Sequence, residues 1–415
     1  MKNRGLGYER SLLLLLGSLS MFLYGTIYSW SIFIEPLETE FSWSRSQVTM
    51  AYSIGMVALY IGMTLHGVLA SKKSSRYSML LGASLILAGY STASRIGPDM
   101  QDIARLLVLW LSYGVCGGLG VGICYNGWLT TVVERLPDRP GLASGLLLMG
   151  MGIGGFASAQ AADLMIRSFL GWRHTLLVFG LLMGMMSLLS IGFLAHVTKD
   201  TSSLRLVKQA GSDVGPSEML RKKSFWAFML WKMVLLCSGS AVIGQAARIA
   251  ADAGASPSVS SVAVGLLSIG NAVSRVVFGV LADKMGQRKT MLSLASVMLV
   301  ASLVLAGTYQ MKIPATVAVC LFLFGICYGG SITISPNYIR SMYGYKYLKT
   351  NIGVSSLISC IPTLAVSSLI GAIKTTTGSY ASFFWIVTGT SILSIWFAIG
   401  ASPSVDPATR GRTSP

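Results

Sequence analysis

Two basic residues, Arg275 and Lys232, sit inside long apolar runs of this 415-residue chain, and their chemistry demands an explanation. Arg275 lies eight residues before Asp283 in the stretch that runs from Leu267 to Lys289. At about 1.5 Å per helical residue, that is roughly 12 Å inside the edge of a hydrocarbon core about 30 Å thick. A guanidinium keeps its charge there, so it needs a partner, a water-filled cavity or an anionic ligand. Its planar fork suits a carboxylate. The structural alternative is an arginine that snorkels or binds backbone carbonyls. Lys232 falls roughly 10 Å into its own apolar run by the same rise. It is a candidate second cation, or a long side chain that reaches the interface. Tyr28, Trp30, Tyr125 and Tyr328 could wall a cavity and offer polar edges to a substrate, with helix packing or the lipid interface as the alternative. Tyr24 and Tyr28 share a helix face. Asn126 and Asn337 read as helix–helix hydrogen-bonding groups.

The elements that carry these residues are membrane helices. The composition is 53% hydrophobic and 11% charged, whereas soluble domains carry about 25% charged residues. The net charge of +17 is spread between apolar blocks, which fits membrane topology and speaks against nucleic acid. All six cysteines lie in apolar segments without a C-x-x-C, and read as packing residues. The three histidines are scattered. With no nucleophile–base set and no phosphate-cradling loop, the sequence predicts no enzyme, no cofactor and no metal site. Met1 to Gly25 resembles a signal peptide, but the apolar run continues to Ile34 without a cleavage site, so a retained first helix is expected.

The sequence predicts an all-α polytopic protein of twelve spans: 11–34, 46–70, 78–97, 104–133, 141–165, 174–197, 225–250, 259–282, 290–310, 314–339, 351–373 and 380–401. They divide into a six-helix bundle at 1–197, a polar linker at 198–224, a second bundle at 225–401 and a tail at 402–415. Most of the 32 Lys and Arg fall in the segments on one side, which places both termini, the linker and the tail in the cytosol. Glycines crowd the fifth span at 145, 150, 152, 154 and 155, and predict a tight crossing with a helix of the other half.

The two halves are related. Gly67-Val-Leu-Ala-Ser-Lys-Lys-Ser-Ser-Arg-Tyr-Ser-Met-Leu80 matches Gly279-Val-Leu-Ala-Asp-Lys-Met-Gly-Gln-Arg-Lys-Thr-Met-Leu292 at a constant spacing of 212. This layout, and the turn at 279–289, resemble the major facilitator superfamily. The resemblance implies two pseudo-symmetric bundles and assigns Gly67, Arg76, Gly279, Asp283, Gly286 and Arg288 to a gating turn. Tyr24-Gly-Thr-Ile-Tyr-Ser-Trp-Ser-Ile-Phe-Ile-Glu-Pro-Leu37, Phe41-Ser-Trp-Ser44, Gly171-Trp-Arg173 and Asn271-x-x-x-Arg275 are similar, more narrowly, to the oxalate/formate antiporter family. That family moves small carboxylates. Its oxalate member carries an Arg on the eighth helix, matched by Arg275, and a Lys on the eleventh, whose position falls near Ser359. No Lys lies within 351–373, a departure that suits one carboxylate better than two.

The expectation is a secondary transporter of small mono- or dicarboxylates in the cell membrane, working by alternating access and anion exchange. Its expected partners are the carboxylate and the lipid bilayer, with protons as a candidate co-substrate, no nucleic acid, and a monomeric state. The alternatives are a proton-coupled monocarboxylate symporter and a membrane sensor without turnover.

Overall fold

The structure, a computed structural model, describes residues 2–97, 100–168, 170–197 and 213–401. Residues 198–212 of the expected linker and the expected tail at 402–415 lie outside these. Among the described residues there is no strand, and twelve long helices account for nearly all of the chain.

Helix α1 is one rod made of Lys2–Tyr24, a 3-10 stretch Gly25–Trp30 and Ser31–Phe41. It is followed by α2 (Arg45–Lys72), α3 (Ser75–Ala93), α4 (Asp102–Leu109, a π-helical Trp110–Gly117 and Gly118–Arg135), α5 (Pro140–Arg167) and α6 (Gly171–Val197). After the short helix Pro216–Arg221 come α7 (Lys223–Asp252), α8 (Pro257–Met285), α9 (Gln287–Thr308), α10 (Pro314–Tyr343), α11 (Leu348–Thr377) and α12 (Ala381–Gly400). Ten of the twelve are long and apolar enough to cross a membrane; α3 and α11 are outside that ten. Each of the twelve expected spans corresponds to one of these helices, most of them longer than expected. The extra turns are polar, and caps hold them. Ser44 and Gln47 form a reciprocal capping box at the start of α2, and Ser256 with Pro257 opens α8. The linker also proves shorter than expected, because 216–221 is helical and α7 begins at Lys223.

The chain divides into two compact units: residues 1–213 with 344–361, and residues 214–343 with 362–415. The first half of α11 therefore packs with helices α1 to α6. In each unit, the near face is the side where its first helix, α1 or α7, begins, and the far face is the opposite side.

Glycines set the closest crossings. In the first unit, a Cβ at Gly150 would lie 2.6 Å from Ser18 O, and one at Gly154 would collide with Phe22 O. The glycine face of α5 thus meets α1 of its own half, not a helix of the other half as expected. Glycine is required because two backbones touch there.

Candidate functional site: buried cations in the second unit

Helices α7, α8 and α10 pack against one another in the second unit. The α8–α10 crossing is set by Gly270, Gly325 and Gly329, where an added Cβ would strike Phe322 O, Leu267 O and Asn271 O respectively. On α7, a Cβ at Gly239 would come within 2.6 Å of the Tyr328 Cβ. These contacts bring the stems of Arg275 on α8, Tyr328 on α10 and Lys232 on α7 onto adjacent backbones.

Arg275 is 5% exposed, and its Nε donates to Asn271 Oδ1, one turn earlier, at 3.3 Å. Lys232 is also 5% exposed, and its Nζ donates to Ser335 Oγ on α10 at 3.1 Å. Arg275 stands ten residues from the near-face end of α8, Lys232 nine from that of α7, and Ser335 eight from that of α10. At the helical rise these are depths of about 15, 13 and 12 Å. The two cations therefore lie at one level of the unit. Among the described residues they are the only buried Lys or Arg, and no Asp or Glu is buried. Burying two positive charges without a buried carboxylate is unfavourable unless an anion or water can enter. Such a site favours negative ligands.

The remaining expected substrate-binding residues, Tyr28, Trp30, Tyr125 and Ser359, fall in the first unit. Tyr28 is 41% exposed, on the 3-10 stretch of α1 beside Gly155 of α5. Trp30 is buried; its indole N–H donates to Val48 O at 3.0 Å and its ring stacks on Tyr113, 4.0 Å between centroids. It packs α1 against α2 and the π-helical turn of α4. Tyr125 is buried on α4, and Ser359 is buried with its hydroxyl donating to Ser355 O of its own helix at 2.9 Å. Outside these groups, an apolar groove of about 350 Å³ lies between α9 and α10, lined by residues such as Val300, Val304, Val319 and Leu323. It carries no charged group.

The two copies of the gating turn differ in a way the substitution explains. Gly286 joins α8 to α9 with φ at 81°, a left-handed conformation that glycine adopts without strain. Its counterpart in the first copy, Ser74, is extended and caps α3 by accepting from Tyr77 N at 3.2 Å. Asp283 and Arg288 are exposed and Gly279 is buried. Arg76 Nη2 donates to Leu194 O at the near-face end of α6, at 3.2 Å. Gly67 lies against the start of α11: a Cβ there would sit 2.5 Å from Thr350 Cα. Gly353 makes the reciprocal approach to Thr64.

A polar network reinforces that approach. Asn126 Nδ2 donates to Met63 O at 2.7 Å and to Lys349 O at 3.1 Å. Lys349 Nζ bonds Ser75 Oγ at 2.8 Å and lies 3.5 Å from Glu134. Sequence reasoning assigned Lys349 only to topology and passed over Glu134 and Ser335. The signal for Glu134 was an acid among near-face cations. Ser335 carried none, since a serine in a helix ordinarily bonds its own backbone.

The sequence and the fold both have known relatives. The Major Facilitator Superfamily profile matches residues 13–247 and again 233–414. The chain is 30% identical over 357 residues to the uncharacterized MFS-type transporter YhjX of Escherichia coli, covering 84% of each chain. It is 24% identical over 390 residues to the oxalate:formate antiporter of Oxalobacter formigenes, covering 91% of this chain and 88% of that one. The fold resembles the MFS proton:xylose symporter XylE, with a TM-score of 0.74, 15% identity and 96% of each chain covered. With twelve helices, a repeat spacing of 212 and a profile matching twice along its length, the chain belongs to the Major Facilitator Superfamily.

Proposed function

We propose that this protein is a secondary transporter of small carboxylates that exchanges one anion for another by alternating access. One observation carries the reading: Arg275 and Lys232 are buried at one depth of the second unit, with no buried carboxylate among the described residues. Arg275 holds the substrate carboxylate by its fork, and Asn271 fixes the guanidinium from one turn away. Lys232 and Ser335 accept a second carboxylate or a hydroxyl of the substrate. Tyr328 stands on α10, which carries Ser335 as well. Exchange follows from electrostatics, since an emptied pair of buried cations is costly and the returning anion relieves that cost. The name of the Oxalobacter formigenes relative points the same way.

In this reading the near face is cytosolic, because most Lys and Arg lie there, so both termini and the 198–224 linker are on the inner side of the cell membrane. The functional unit is a monomer of two bundles, 1–197 and 225–401. Within the first unit the approach of Gly67 to Thr350, with the Lys349–Glu134 pair, acts as a cytosolic gate, and Asp283, Gly286 and Arg288 form the gating turn of the second unit.

The test is uptake and counterflow in proteoliposomes, using labelled mono- and dicarboxylates against neutral sugars. Carboxylate inside should accelerate entry of labelled carboxylate several-fold. Equal transport of sugars, or no acceleration, would rule the reading out.

A second reading, proton-coupled monocarboxylate import, has one observation in its favour. His66 is buried, its Nδ1 bonds Ser78 Oγ at 2.9 Å, and its Nε2 has no hydrogen bond among the described residues. Proton uptake that accompanies carboxylate entry and disappears in His66→Phe would support it over exchange.

A further inference from the structure

We propose that each unit carries a carboxylate-centred clamp at its far face, and that Glu40 and Asp252 are positioning residues that hold the first helix of their unit in its working register. The two acids lie 212 positions apart, the spacing of the gating-turn repeat. Glu40 stands at the far end of α1, and Asp252 is the last residue of α7.

The contacts are parallel. Glu40 Oε2 accepts from Trp172 Nε1 at 2.7 Å and from Arg173 Nη1 at 3.0 Å, and Oε1 accepts from Arg173 Nη2. Arg173 Nε donates to Ile96 O, just past the end of α3, at 2.8 Å. Asp252 Oδ1 accepts from Lys374 Nζ at 2.6 Å. The Tyr309 hydroxyl, just past the end of α9, lies 3.1 Å from Asp252 Oδ2 and 3.0 Å from Ile249 O. Each cation also covers an aromatic ring: Arg173 sits 4.4 Å from the Trp172 centroid, and Lys374 5.0 Å from that of Tyr380. Both clamps thus join the first helix, the end of the third and a cation from the last helical pair.

Partly exposed ion pairs contribute little to stability, so retention of the device in both repeats calls for another use. In the first unit that use is visible. Helix α1 is interrupted by its 3-10 stretch at Gly25–Trp30 and carries Pro36 inside its last segment. Both features weaken the backbone ladder. The segment beyond them is held along its length by buried Phe33, Leu37 and Phe41 and at its tip by Glu40, so Glu40 sets the position of the tip. Tyr28, on the 3-10 stretch, is the exposed group whose placement follows. The inference requires that α1 line a path through the protein, and is independent of which substrate takes it.

The experiment uses the full chain in nanodiscs, with the six native cysteines replaced by serine and a single cysteine at Tyr28→Cys or, as a control, Ser258→Cys at the far-face start of α8. Glu40→Gln should change the rate of maleimide labelling at Tyr28→Cys by at least about 3-fold and leave that at Ser258→Cys unchanged, since untying one end alters local opening. Arg173→Gln should give the same change, and the double variant no more than either single, because the two residues act as one unit. Trp172→Phe, which removes one hydrogen bond, should give a smaller change and serves if Glu40→Gln does not fold. An unchanged labelling rate in the folded variants, or single effects that multiply in the double, would overturn the proposal. Loss of carboxylate transport in the native chain would leave this labelling result intact, so the two proposals fail separately.

Discussion

The two units use the same scaffold and place charge differently. The position 212 residues before Arg275 is Met63, and the one 212 before Lys232 is Ser20. Met63 is 3% exposed, and its backbone oxygen accepts from Asn126. Ser20 is fully buried and shares a hydrogen bond of 3.1 Å with Ser190 Oγ. Equivalent points on equivalent helices therefore hold a thioether and a hydroxyl in one unit and two cations in the other. The far-face acids, by contrast, occur in both. In the proposed function the buried charges of the second unit serve a ligand, and in the proposed clamps the duplicated acids hold the first helix of each unit.

The sharpest way to break this comparison is to make the second unit like the first. Arg275→Met should give folded, membrane-inserted protein whose carboxylate transport falls by about 30-fold or more, since losing a buried charged partner costs about 2–5 kcal/mol of binding. Uptake per folded molecule measures it. The opposite change, Met63→Arg, buries a cation where the unit has no use for one. It should destabilise by about 3–5 kcal/mol, read as a large fall in melting midpoint. If Met63→Arg is tolerated while Arg275→Met unfolds the protein, the charge is structural and the comparison fails.

A smaller effect is expected at the second cation. Lys232→Ser should raise the KM for dicarboxylates about 10-fold, the loss of a charged hydrogen bond of roughly 1.5 kcal/mol, with less effect on monocarboxylates. Equal losses for both would show that Lys232 senses only total charge. The smallest effect separates the two turns. Gly286→Ala should lower stability by about 1 kcal/mol because φ is positive there, whereas Ser74→Gly should cost only a few tenths at an N-cap. Thermal unfolding of the two variants side by side checks this.

Much of this architecture was legible in the sequence. Apolar blocks of membrane length marked the number and order of the helices, and the match of 67–80 to 279–292 pointed to two related halves, whereas the packing of the first part of α11 with the first unit was not legible. Helix ends were less legible, because caps such as Ser44 and Gln47 extend α2 into polar sequence that hydropathy alone leaves out. Arg275 and Lys232 stood out in the sequence because a charge in an apolar run needs a partner, water or a ligand, with snorkelling as the alternative for each, and the structure shows both side chains buried. Trp30 was not, since an aromatic that walls a cavity and one that packs on Tyr113 look alike in sequence. Ser335 and Glu134 depend on which helix lies opposite. That information sits more than 100 residues away from Lys232, and more than 200 from Lys349.

In the proposed function Arg275 anchors the substrate carboxylate. That role is tested most directly by equilibrium binding of a labelled dicarboxylate to purified native protein, Arg275→Lys and Arg275→Gln in nanodiscs. The account predicts that Arg275→Gln raises the Kd at least about 30-fold, the equivalent of about 2 kcal/mol, and that Arg275→Lys, which keeps the charge and loses the fork, falls between. Native affinity in folded Arg275→Gln would contradict it.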